Sequence, residues 1–242
     1  MVKSHGLRVR GDWPDLMQMS QGWAKAWARP WNDDFPAVAL RLERGNARFL
    51  RACTELVREL ATPVLSPALL PSRTSLWTDA GYEVSDQLLL LEHDLRDIPA
   101  GTLGSDIAAG GFEPADELYQ IDQVAFPVRW RLGRRGLEES IEATVRTAVH
   151  RVSDQEGTTG FSVAGVGLGQ GYLQRLAVHP RAQGLGHGTA LVRASLLWAR
   201  RHGARAVLVN TQAENERARQ LYERTGFRPV PGGLVVMAAA PD

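Results

Sequence analysis

Tyr222 carries a phenol that can donate a proton, and it follows Asn215, an amide that can both donate and accept. Upstream, Gln183, Gly186 and Gly188 spell Q-x-x-G-x-G between an apolar run from Tyr172 and a helical pattern reaching about His202. Glycines let a backbone approach an anion closely, and free N–H groups at a helix start point at it. Pro180 ends the apolar run, a second β-type run covers residues 206–211, and A-E-N-E-R-A-R-Q-L-Y-E-R-T-G-F follows. Strand, glycine turn, helix, strand, helix is an order that cradles a phosphate group. The alternative for the glycines is a tight turn with close helix packing, and for Asn215 an N-cap.

The elements that must position these residues are read from periodicity and breakers. Residues 7–10 read as a short strand, after which Asp12 or Asp15 caps a helix with Leu16, Met19, Trp23 and Trp27 on one face. Such an aromatic stripe is core or a subunit contact, which leaves a homodimer open. Pro30 breaks the pattern. Residues 35–43 read as a strand, 46–60 as a helix and 62–70 as an extended segment limited by prolines.

S-R-T-S-L-W-T-D-A-G-Y then echoes R-A-R-Q-L-Y-E-R-T-G-F, with Leu76, Gly81 and Tyr82 each 145 residues before Leu221, Gly226 and Phe227. We read this as an internal repeat, a worn copy of the same half-fold. The copy has no glycine turn before its helix, Leu70 stands where Asn215 stands, and Trp77 replaces Tyr222.

Residues 94–111, rich in glycine, form the expected linker, so the chain is divided into a degenerate region, 1–98, and a second domain, 99–242. In the latter we expect helices over 114–125 and 137–143, broken at Phe126-Pro127. A hairpin over 146–152 and 160–168, a turn over 166–171 and a last strand over 234–239 complete it.

A net charge of +1 with 23% charged residues describes an ordinary soluble protein. Residues 125–205 hold twelve arginines against five carboxylates, a local excess that suits a polyphosphate ligand or a solvated surface. No dense basic run interleaved with aromatics appears, so nucleic acid is not an expected partner. Neither is a membrane, since no apolar run approaches the roughly 18 residues of a span and the first ten residues lack the apolar core of a signal peptide. Cys53 is the single cysteine, which fits a reducing cytoplasm. No metal site is expected.

The stretch from about Phe112 to Met237 resembles the GNAT superfamily of acyl-CoA-dependent N-acyltransferases. The glycine motif and the N-x-x-A-x-x-L-Y-x-x-x-G-F block, filled by Asn215, Ala218, Leu221, Tyr222, Gly226 and Phe227, carry the resemblance. It implies an α/β fold with a mixed sheet, preceded here by a degenerate GNAT-like half. It also implies acetyl-CoA as donor and a primary amine, of a protein or a small molecule, as acceptor. The pantetheine arm would lie along Leu176, Ala177 and Val178, with the Val178 N–H as oxyanion donor. The pyrophosphate would rest on Gly184, Leu185, Gly186, His187, Gly188 and Thr189. Asn215 would bond pantetheine, and Tyr222 would return a proton to the CoA sulfur.

The members acetylating ribosomal-protein N-termini, which the central stretch resembles closely, carry a glutamate twelve residues before the tyrosine. Here that place is Asn210, which takes no proton at neutral pH. Glu214 is near in sequence, and Gln174 can orient a water. Acceptor contacts in the family come from the first two helices and their connection, which makes Phe126, Trp130 and Arg131 the expected wall; a plain packed corner is the alternative. The function expected is acetyl transfer to a primary amine, and the competing reading is a non-catalytic acyl-CoA-binding regulator.

Overall fold

The computed structural model describes residues 6–100, 107–110 and 115–240. The chain divides into two compact units, Met1–Leu88 with Gly232–Asp242, and Leu89–Pro231.

In the first unit, β1 (Arg8–Arg10), β2 (Met17–Gln21), β3 (Ala24–Pro30) and β4 (Val38–Arg44) form an antiparallel meander. The helix expected over Leu16 to Trp27 is instead the β2–β3 hairpin. Its apolar residues fit period two better than 3.6: Met17, Met19, Ala24, Ala26 and Ala28 are buried at alternate positions. Gly22, at φ +57°, opens a two-residue turn whose second residue, Trp23, is 65% exposed. Trp27 faces away from the core, where its Nε1 donates to Glu43 Oε2 (3.0 Å) and Lys25 lies over its ring.

Helix α1 (Ala47–Arg58) follows, with the Asn46 side chain accepting from Phe49 N. It packs Leu50, Cys53 and Val57 on the sheet. Then come β5 (Val64–Leu65), parallel to β4, α2 (Ser75–Asp79) and β6 (Tyr82–His93).

The second unit takes β6 from Leu89 onward. Strand β7 (Ile107–Gly110) pairs antiparallel with β8 (Arg146–Asp154), so the expected linker contains a strand. Its residues 101–106 and 111 lie outside the described residues. Helices α3 (Ala115–Ala125) and α4 (Arg134–Glu142) flank the connection at Phe126-Pro127. Strands β8, β9 (Gly157–Gly167) and β10 (Gln170–Val178) form a meander; the turn between the last two is only Leu168-Gly169, shorter than expected. Helix α5 (His187–Arg201), β11 (Ala206–Gln212), α6 (Glu216–Arg224) and β12 (Arg228–Pro229) complete the unit. The strand order is β7-β8-β9-β10-β11-β6, and β12 pairs with residues 91–92 of β6.

The last strand, β13 (Leu234–Ala239), belongs to the first unit, between β5 and the start of β6. The units therefore part at Leu88/Leu89 and Pro231/Gly232, where the sequence suggested 98/99. Two causes shift the boundary: β6 continues without a break, and β13 fills a place in the earlier sheet.

The two stretches that echo each other in sequence share local geometry. Trp77 packs edge-on to Tyr82 with ring centres 4.9 Å apart, and Tyr222 meets Phe227 at 5.5 Å. Gly81 and Gly226 close their helices at φ +90° and +96°, a conformation that side chains resist. In both units a strand pairs in parallel with the strand following its helix, β4 with β5 and β10 with β11. Among the described residues no helix is long and apolar enough to cross a membrane.

Candidate functional site

Strands β10 and β11 pair only over Gln170–Tyr172, against Ala206–Leu208. Beyond that β10 stays on β9 up to Val178, and its other edge is left by β11. His179 N donates to Thr159 O at 2.8 Å, on the β9 side. Because neighbouring residues of an antiparallel strand face opposite edges, Ala177 also faces β9, whereas Leu176 and Val178 present their N–H groups to the free edge. Ala177 is buried and its carbonyl abuts Gly160. Of the three residues expected to face pantetheine, the alternation therefore turns Leu176 and Val178 to the free edge.

A 3-10 turn, Pro180–Ala182, carries the chain from β10 into the glycines. Gly184 and Gly186 adopt φ +88° and +85°, and nothing lies within 4 Å of the Cβ either lacks. Gly186 is the N-cap of α5 and offers no side chain to its first N–H groups. Leu185 and Thr189 are exposed beside it. This turn is an open cradle of N–H groups, a fit for a pyrophosphate.

Three neighbours of the turn make contacts of their own. Gly188 serves packing, since a Cβ there would sit 3.1 Å from Leu221 Cδ2. The His187 ring turns inward, with Nδ1 2.9 Å from Thr159 Oγ1, so only its backbone lies at the helix start. The Gln183 amide is already engaged, its Nε2 donating to Val178 O (3.0 Å) while its Oε1 accepts from Arg217. Arg181, in the same turn, pairs with Asp154 and Glu156, both at 2.8 Å.

Asn215 is the N-cap of α6, its Oδ1 accepting from Ala218 N at 3.1 Å. Tyr222, in the last turn of α6, is 5% exposed. Burial pushes its phenol pKa up, and the Arg175 charge works in the opposite direction. Among the described residues its hydroxyl makes no hydrogen bond. Asn210 and Glu214 are exposed.

A β-bulge places Gln174 as the extra residue of β10: Leu173 pairs with Ala164 and Arg175 with Val163. Gln174 Nε2 donates to Thr144 Oγ1 at 3.1 Å. Gly165 makes room, because a Cβ there would lie 2.2 Å from both groups. Gln174 is thus tied to the α4–β8 connection. Past the bulge Arg175 meets Asp122 of α3, Nε to Oδ2 2.6 Å. Its Nη2 donates to Trp130 O (2.9 Å), and its guanidinium lies 3.5 Å over the Phe126 ring. Arg131 Nε donates to Phe126 O at 3.2 Å.

Phe126 and Trp130 are therefore gathered at Arg175, on the strand that holds Val178. Arg175 and Asp122 were missed from sequence. The available signal was an arginine inside the apolar run Y-L-Q-R-L-A-V and an aspartate on the buried face of α3, beside Leu118 and Ile121.

The family model described as Acetyltransferase (GNAT) family matches residues 115–227. A mycothiol acetyltransferase of Nocardia farcinica (strain IFM 10152) is 30% identical over 230 residues, 92% of this chain and 68% of its own length. N-alpha-acetyltransferase 30 of Schizosaccharomyces pombe is 38% identical over 58 residues, 24% of this chain and 39% of its own. A solved GCN5-related N-acetyltransferase from Sphaerobacter thermophilus aligns at TM-score 0.60 and 18% identity, covering 94% of this chain and 82% of the other. A tandem GNAT protein from the clavulanic acid biosynthesis pathway aligns at TM-score 0.65 and 16% identity, covering 98% and 85%. At such identities these two structures are similar in fold alone. The relative matched along nearly the whole chain adds what the fold leaves open: this chain belongs to the GNAT acetyltransferase family and is an acetyl-CoA-dependent N-acetyltransferase acting on an amine.

Proposed function

We propose that the second unit carries out the transfer by direct attack of a primary amine in the cleft between β10 and β11, and that the first unit is a worn GNAT-like scaffold. One observation carries this reading: the β10 edge left free after Tyr172 ends at the open glycine turn. Acetyl-CoA, when bound, supplies the thioester carbonyl and the departing thiolate. The free edge at Leu176 and Val178 would hold its pantetheine arm as an added strand does. The N–H groups at Gly184 to Thr189 would take the pyrophosphate. Val178 N–H would receive the oxyanion, and the Tyr222 hydroxyl, kept protonated by burial, would deliver a proton to the thiolate. Asn215, Gln183, Gln174 and Asn210 would border the site, the first three already held by protein partners.

Direct attack suits the chain because the single cysteine, Cys53, is buried in the first unit, where burial pushes its thiol up to about 12. It offers no thiolate for an acyl-enzyme. The lone, buried thiol also supports a cytoplasmic setting. Of the two acceptor classes, a small-molecule amine is favoured. The relative named for mycothiol aligns with 92% of the chain and the N-alpha-acetyltransferase with 24%. Asn210 also lacks the carboxylate carried by the resembling protein-acetylating members.

The test is a panel of primary amines and of peptides with free N-termini, read by thiol release and by the mass of the product. Intersecting initial-velocity lines are expected; parallel lines point to an acyl-enzyme. A protein that binds acetyl-CoA yet releases no thiol with any amine refutes the reading.

A further inference from the structure

We propose that Arg175 is a positioning residue for the amine acceptor: anchored by Asp122, its guanidinium fixes the turn between α3 and α4 and with it the Phe126 and Trp130 wall. The inference rests on the cleft being the transfer site, as proposed above.

Arg175 follows the bulged Gln174 and precedes Val178 by three residues on the same strand. One guanidinium makes three contacts at once. Nε meets Asp122 Oδ2 at 2.6 Å, Nη2 donates to Trp130 O at 2.9 Å, and the planar face covers the Phe126 ring at 3.5 Å. Asp122 closes the other end of the turn, its Oδ1 accepting from Leu132 N at 2.7 Å, while Gln123 Nε2 donates to Leu132 O at 2.9 Å. Residues 126–132 are therefore held at Phe126, Trp130 and Leu132 by two charged side chains, one wholly buried and the other 12% exposed.

A buried ion pair is seldom needed for stability, since apolar residues of similar volume often serve as well. What it supplies here is direction. A guanidinium has donors in a fixed planar fork and a face that stacks, whereas an ammonium has neither. The pair thus relates the acceptor wall geometrically to the strand bearing the oxyanion donor. The same charge reaches Tyr222.

Two variants test this with the most rapidly turned-over amine of the panel. Arg175→Lys keeps the charge and loses the fork and the stacking. Arg175→Met with Asp122→Leu replaces the pair by apolar residues and leaves no buried charge alone, so it carries the test should the lysine variant not fold. In both, KM for the amine is expected to rise at least tenfold, while the calorimetric Kd for acetyl-CoA stays within twofold of the parent. A merely structural pair would lower kcat through a smaller active fraction and leave the amine KM unchanged. Parent-like amine KM in the folded variants, with an active parent, overturns this proposal alone. A parent without turnover overturns the reading of the cleft and this proposal with it.

Discussion

Gln183 Nε2 donates to the Val178 carbonyl at 3.0 Å, which ties the glycine turn to the residue whose own N–H group is the proposed oxyanion donor. Arg217 of α6 completes the tie on Gln183 Oε1. Removing the amide in Gln183→Ala frees both ends. A net hydrogen bond is worth about 1 kcal/mol, so acetyl-CoA affinity should fall roughly fivefold, measured by calorimetry. An unchanged Kd together with an unchanged kcat means that the tie does not organise the site.

Gly186→Asp should weaken acetyl-CoA binding by tenfold or more, about 1.4 kcal/mol. The residue sits at φ +85° in open space, so the substituent meets no packing atom, only the backbone strain and the anion expected there. Gly186→Asn, which tolerates that backbone better and carries no charge, separates strain from repulsion. Equal affinity of the aspartate variant and the parent removes the pyrophosphate from this turn.

One acetyl-CoA per chain is expected at saturation. In the first unit the helix after β4 starts with Asn46 bonding Phe49 N, and a Cβ on Gly45 would lie 2.7 Å from the Phe49 ring. Trp77, buried against Tyr82, stands in the place of Tyr222. A titration that ends at two equivalents contradicts the scaffold role of this unit.

Tyr222→Phe should lower kcat and kcat/KM together and leave acetyl-CoA affinity nearly unchanged, because the lost proton transfer belongs to the transition state. Burial raises the phenol pKa, so the acid form persists past the ordinary phenol range and no falling limb should appear below about pH 10. With Asn210 in place of a carboxylate, the rising limb of kcat/KM should follow the amine, about pH 8 for an α-amine and about pH 10 for a lysine-like amine. A limb fixed at one pH for two amines of different basicity reveals a protein base, and Glu214→Gln is then the first variant to make.

His150 predicts an acid-sensitive core. It is buried beneath Trp198, and burial lowers its pKa to about 4. The unfolded chain then binds the proton first, so the contribution is complete above about pH 6.5 and is lost as pH falls through 4. The full loss is on the order of 3 kcal/mol by linkage. His93 is shifted in the same direction. Urea unfolding at pH 7 and pH 4.5 should show a smaller pH difference for His150→Leu than for the parent. An equal difference assigns the acid sensitivity elsewhere.

What the sequence determined by itself was local. Gln183, Gly186 and Gly188 sit at short, fixed separations, as do Asn215 and Tyr222, and caps, positive-φ glycines and helix periods are set within one or two turns of chain. The echo of Leu76, Gly81 and Tyr82 was legible for the same reason, and the positive φ of Gly81 repeats that of Gly226. The tertiary structure decided whatever depends on partners far along the chain. Leu16, Met19, Trp23 and Trp27 fit a helical face on paper, yet pairing of β3 with β2 and β4 made alternation the governing period. Ala177 turned to β9 because strand pairing assigns edges, which no single strand encodes. Strand β13 entered the first unit beside β6, although more than a hundred residues separate them in sequence. Asp122 and Arg175 are 53 residues apart; only the packing of α3 on β10, which takes both charges out of water together, makes them a pair.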